Sequence, residues 1–226
     1  MDSYQNERIE WSRVWREDSD VQLPRVLLIG DSIIDGSKHN IYERLKKDGY
    51  TSSAYITSKG INNPFYFREL EMVCAQEDYN YSAVYLQYGG HSGLQSREEC
   101  RSNYETLLDD ISKMLPDTPI IVSPFTPWTK GNGTEGEYDT PVTSRVEFTE
   151  NNRFITDLRE DIIDIVEKNE LDIDLHFFDA YSLMLEHNDL KCPDGVHFMP
   201  EGYHVLGTAI AERVLEVISN KNDKGE

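Results

Sequence analysis

Five short runs constrain the fold most: Val26–Ile29, Ser53–Thr57, Ala83–Gln87, Ile120–Ser123 and Leu175–Phe178. Each is rich in β-branched or aromatic residues and is bounded by polar, glycine or proline residues, so each reads as a strand. The segments between them decide how those strands pair. Asn40–Lys47, Phe65–Ala75, Glu98–Met114, Phe148–Lys168 and Glu201–Ile218 read as helices; in the third, Tyr104, Leu107, Leu108 and Ile111 recur at helical spacing. Strands that alternate with helices form βαβ units and a mostly parallel sheet. Right-handed crossovers then cover both faces. The expected fold class is α/β, a three-layer α/β/α sandwich around about five parallel strands in the doubly wound order 2-1-3-4-5.

The chain of 226 residues is long enough for one large domain or two small ones. It shows no internal repeat and no shift of composition, so residues 25–226 read as a single domain. Residues 1–24 read as an N-terminal extension packing on the body, with Trp11 and Trp15 one helical turn apart. The Gly/Thr-rich stretch Thr129–Ser144, "TKGNGTEGEYDTPVTS", reads as a long loop after the fourth strand. The sequon Asn132-Gly-Thr134 reads as a turn in that loop.

Charge excludes several partners. Lys and Arg total 22 against 42 Asp and Glu, a formal charge of −20. Such a surface repels phosphate backbones and anionic lipid, so no nucleic-acid partner is expected. No apolar run approaches a membrane span, and the N-terminus has no apolar signal region. Cys74, Cys100 and Cys192 are odd in number and widely separated, which suggests neither a disulfide framework nor a metal site. The expected setting is cytoplasmic. No histidine pair has zinc-site spacing, and the 131–136 stretch lacks the Lys and Ser/Thr of a P-loop. No cofactor and no metal are therefore expected.

Two stretches carry chemistry. "RVLLIGDSIIDG", residues 25–36, ends a strand at Gly-Asp-Ser. Sites in doubly wound sheets form outside the carboxyl ends of strands, where Ser32 stands. A serine nucleophile needs such exposure and a base within reach. Asp31 reads as the residue that orders the turn. Near the other end, "CPDGVHFMPEGYHVLG" places Asp194 and His197 with two residues between them on a segment that Pro193, Gly195 and Pro200 keep from being a regular helix. A tight turn there folds the carboxylate onto the imidazole and fixes its tautomer, leaving the other ring nitrogen to take a proton from a serine. His39, His176, His187 and His204 carry no such pattern.

These blocks resemble those of the GDSL/SGNH hydrolases. "GDSI" at 30–33 looks like the family's nucleophile block, with Ile33 for the commoner leucine, and "DGVHFMPEGY" at 194–203 looks like its Asp-x-x-His block. The resemblance spans residues 25–218. It implies a flavodoxin-like fold and metal-free hydrolysis of esters or thioesters. It also implies an oxyanion hole built from the Ser32 amide, Gly60 in "SKGINN", and the third-block residue. In "YGGHSG" that residue is His91 where the family has Asn, and an imidazole N–H can donate the same hydrogen bond.

The resulting expectation is a serine esterase with Ser32, His197 and Asp194 as its triad. Its substrate is read as a small-molecule or carbohydrate ester, specifically a short-chain acyl such as O-acetyl on a sugar; Tyr88, Phe125 and Trp128 are candidates either to stack on a sugar or to pack in the core. The alternatives are a lysophospholipase or thioesterase, or a non-catalytic module that binds acylated glycans. The sequence leaves the oligomeric state open.

Overall fold

The computed structural model describes residues 10–17, 22–88, 91, 96–129 and 150–224. Six strands form one sheet: β1 (Ser12–Arg16), β2 (Arg25–Gly30), β3 (Thr51–Thr57), β4 (Ala83–Tyr88), β5 (Ile120–Pro124) and β6 (Leu175–Phe177). Their order is β1-β3-β2-β4-β5-β6. β2 to β6 pair in parallel, in the doubly wound order expected. The sixth strand is the difference. β1 joins the edge antiparallel to β3, with Ser12 opposite Thr57 and Arg16 opposite Ser53.

Trp11 and Trp15 pack against the core, but from an extended segment and not from a helical turn. A spacing of four places two residues on one face of a strand as well as of a helix, so it does not separate the two periods. Between the tryptophans, Val14 faces outward and is exposed.

The helices are α1 (Ser32–Lys46), α2 (Tyr66–Ala75), α3 (Arg97–Met114), α4 (Glu150–Lys168), α5 (Ala180–Glu186) and α6 (Pro200–Lys224), with a 3-10 turn at Asn188–Leu190. From residue 130 the 129–144 loop, with its sequon, lies outside the described residues. Among the described residues no helix is long and apolar enough to cross a membrane.

Strand alternation sorts the core into two layers. Every residue of β2 is buried, as a central strand covered on both faces requires. Val26 and Leu28 belong to one cluster with Ile33, Ile34 and Ile41 of α1 and Leu206, Ile210 and Val214 of α6. Leu27 and Ile29 belong to the other, with Leu70 of α2, Leu107 of α3 and Leu158 of α4. Fully burying a side chain of this size contributes about 1.5–3 kcal/mol, so the apolar run before Gly30 anchors the strand end that carries Ser32.

The first layer also positions the site, because α1 begins at Ser32 and α6 begins three residues after His197. The two helices pack closely. A Cβ at Gly36 would overlap the Tyr203 ring, and one at Gly207 would stand 2.9 Å from the Ser37 carbonyl oxygen. The helix read from Asn40 begins earlier, at Ser32, so residues 32–39 form the first two turns of α1. Gly36 lowers the helix propensity of that segment, but the Tyr203 ring packs against the space it leaves.

Candidate active site

Ser32 is the first residue of α1, directly after β2, and is half-buried. Asp31 caps the helix: its Oδ1 accepts from the Ile33 amide at 3.0 Å. The first amides of a helix have no partner within it, and their positive end favours an anion. The Asp31 side chain is 5% exposed. Burial raises its carboxyl above the ordinary carboxylate range, while the charges of His91 and His197 and the Ile33 amide pull against that rise.

His197 stands on a turn that its own neighbours build. Residues 190–192 and 197–199 run antiparallel, with Lys191 bridging Phe198. Cys192 N–H donates to His197 O at 2.8 Å and Met199 N–H to Leu190 O at 2.8 Å. Gly195, at φ +75°, supplies the left-handed residue that closes the turn. Asp194 Oδ1 accepts from the amides of both Val196 and His197 at 2.9 Å, in the manner of an Asx turn. From outside, Thr129 N–H donates to Gly195 O at 3.0 Å, tying the loop after β5 to this turn.

The turn aims the imidazole along one line. Asp194 Oδ2 and His197 Nδ1 are 2.7 Å apart, and His197 Nε2 and Ser32 Oγ are 2.9 Å apart. With Nδ1–H donating to the carboxylate, Nε2 is the acceptor for the serine hydroxyl. Burial works to raise the Asp194 carboxyl. The hydrogen bonds from the His197 ring and from the two amides outweigh it and hold that carboxyl at about 2. The bond to Asp194 raises His197 above the ordinary histidine value; burial opposes the rise, the charges of Asp194 and Asp31 add to it, and the charge of Lys191 opposes it.

Gly60 and His91 reach the same end of the sheet from either side of β2. Gly60 is buried, four residues past Ile56, which pairs with Gly30. Its carbonyl accepts from Asn63 N–H at 2.9 Å. β1 braces this loop. Ser58 N–H donates to Trp11 O at 3.0 Å, Trp11 N–H donates to Ser58 Oγ at 2.9 Å, and Asn63 Nδ2 donates to Glu10 Oε2 at 3.1 Å. His91 follows β4, the other neighbour of β2, and its charge acts on the Asp31 carboxyl.

The remaining candidates lie apart from this line. His39 edges Trp15, His176 bonds Asp174, and His204 bonds Asn40. Among the aromatics proposed for stacking, Phe125 is core, 2% exposed, and Trp128 packs edge-on against it at 5.9 Å. Phe125 directly follows β5, whose residues are all buried, and its own ring joins the core, so it offers no face to a sugar. Among the described residues no group of three His, Cys, Asp or Glu side chains is gathered for a metal.

Sequence reasoning missed Thr129 and Lys191. Thr129 reads as the start of a loop, and a lysine ordinarily reads as surface.

No protein-family model matches the sequence, and no curated protein matches it in sequence. Solved structures do match its fold. A carbohydrate esterase of family 3 from Talaromyces cellulolyticus superposes with a TM-score of 0.65 at 13% identity, covering 88% of this chain and 99% of that one. The lipase/acylhydrolase from Enterococcus faecalis gives 0.61 at 17% identity, over 88% and 97% of the two chains. The C-terminal catalytic domain of Streptococcus pneumoniae peptidoglycan O-acetyltransferase A gives 0.57 at 18% identity, over 86% and 94%. The chain has the α/β fold of these proteins.

Proposed function

We propose that this protein is a serine esterase that removes short acyl groups, with O-acetylated carbohydrate as its substrate class. One observation carries the reading: the Asp194–His197–Ser32 line, with bonds of 2.7 and 2.9 Å joining residues 165 positions apart in sequence. Surface polar pairs do not usually assemble nucleophile, base and orienter in one row at the carboxyl end of a central strand. Similarity of fold to a family 3 carbohydrate esterase and to a lipase/acylhydrolase supports ester hydrolysis, and the former favours a sugar ester.

In this mechanism Ser32 Oγ attacks the ester carbonyl as its proton passes to His197 Nε2. The negative charge that develops on the carbonyl oxygen is met by the Ser32 and Gly60 amides and the His91 ring. His197 then gives its proton to the leaving alcohol. In the second half it takes a proton from the water that attacks the acyl-serine, and returns it to Ser32 Oγ as the bond to the acyl group breaks and the acid leaves. Asp194, held charged by three hydrogen bonds, stabilises the imidazolium in both halves.

A p-nitrophenyl ester series and an acetylated oligosaccharide test the assignment. Acetyl and butyryl esters should turn over fastest, with acetate released from the oligosaccharide. A maximum at decanoyl or longer moves the protein to a lipid esterase. Binding of the oligosaccharide without release makes it a binding module.

A further inference from the structure

Lys191 stands directly under the Asp194–His197 turn, and the proposed mechanism gives it no task. It is 2% exposed, although lysine is among the residues least often fully buried. Its Nζ donates to Val196 O at 3.2 Å and lies 4.2 Å from the centre of the Phe198 ring. Among the described residues it forms no ion pair within 4.0 Å. A buried ammonium held by one carbonyl and one aromatic face is a poor stabilising device.

The bond it makes is informative because of what lies across the peptide. Val196 C=O and His197 N–H belong to one peptide unit, which is planar and trans, so they point in opposite directions. The carbonyl end accepts from Lys191, and the amide end donates to Asp194 Oδ1 at 2.9 Å. Gripping one end fixes the plane and therefore the direction of the N–H. That N–H helps orient the carboxylate whose other oxygen holds His197 Nδ1 at 2.7 Å. A donor on the carbonyl also polarises the same amide, which strengthens the bond on its far side.

We infer that Lys191 is a positioning residue for the proton relay: through the Val196–His197 peptide it sets the Asp194 carboxylate, and its charge opposes protonation of His197. The inference rests on the esterase reading. The groups that face this site are Asp194 and Cys192 on the same turn, Asp31 at the start of α1, and the Tyr203 phenol on α6. Burial lowers the Lys191 amine to about 7, against the pull of Asp194 and Cys192. It is therefore increasingly charged over the acid range in which His197 loses its function as a base.

The test is kinetic, in the full chain, with p-nitrophenyl acetate. K191M removes donor and charge at similar length. It should lower kcat by up to about 10²-fold, the scale of a small misplacement in a reacting constellation, with KM little changed. The acid limb of its kcat/KM profile should move to higher pH, because a charge that opposes imidazolium is gone. K191R keeps charge and donor and should hold the acid limb where the wild type has it. Wild-type kcat and an unmoved acid limb in K191M overturn the inference. A chain that folds with neither Met nor Arg at 191 also overturns it, since Lys191 is then a folding requirement. S32A run alongside separates the two levels. If S32A retains activity, the esterase reading fails; if S32A is inactive and K191M is unchanged, only the role of Lys191 fails.

Discussion

The two sides of the candidate site are held in opposite ways. The Asp194–His197 turn is local: its carboxylate, both amides and its imidazole lie within four consecutive residues, and its left-handed glycine sits among them. The Gly60 and His91 side is assembled at long range. It depends on the ends of β3 and β4 lying beside β2, and on an N-terminal strand that reaches the Gly60 loop through Trp11 and Glu10. In the proposed mechanism the local side sets the direction of a proton, whereas the distant side sets the place of a charge. Damage to the first should abolish chemistry, and damage to the second should weaken it in steps.

The sharpest break in this contrast is the local side. Ser32→Ala and His197→Ala should each reduce kcat by roughly 10⁴-fold or more, and the double variant should lose no more than either alone, because the residues act as a unit. Losses that multiply in kcat assays would separate the two residues. On the distant side, His91→Ala should lose about 10²–10³-fold in kcat with KM nearly unchanged, as for one oxyanion donor. Unchanged kcat would leave the Ser32 and Gly60 amides as the only donors.

A pH series sharpens the comparison further. His197 is raised above the ordinary histidine value, so activity should begin to fall at a pH above about 6.5. Below that limb kcat/KM should drop about tenfold per unit as the base protonates. The signs for stability differ. Asp194 is depressed, so its contribution is complete above the ordinary carboxylate value and is lost as pH falls toward about 2. His197 is raised, so its contribution is present below about 6.5 and is lost as pH rises through its folded value. Urea titrations across pH 2–8 read both.

Smaller effects belong to the brace. Ser58→Ala removes the acceptor for Trp11 N–H and should destabilise the fold by about 1 kcal/mol, with a several-fold loss in kcat. An equal loss in a variant that leaves the loop untouched would remove β1 from the account of the oxyanion side. The smallest expected effect is none: EDTA should leave turnover unchanged, since in the proposed mechanism Ser32 and His197 supply nucleophile and base. Inhibition reversed by zinc contradicts that.

The same contrast between local and distant explains what could be read from the sequence. The five parallel strands were legible because each is a short run rich in β-branched or aromatic residues between breakers, and their order follows from βαβ connections. β1 was not legible. "SRVWR" is short and charged, as edge strands often are, and its partner lies about forty residues away. α5 has seven residues, too few to display a helical period. Asp194 and His197 were legible as a pair because four residues of sequence contain their geometry. Lys191 was not, since nothing local marks a buried lysine. Phe125 could not be placed from sequence because an aromatic after a strand reads the same whether it faces a ligand or the core; it is core.

The most direct test of the central claim is covalent labelling of the wild-type protein with a fluorophosphonate, followed by mapping of the modified peptide. A single adduct on Ser32 is expected. Its rate of formation should fall as pH drops through the His197 value, and the adduct should be absent in His197→Ala. An adduct on another residue, or labelling of Ser32 that is indifferent to His197, would contradict it.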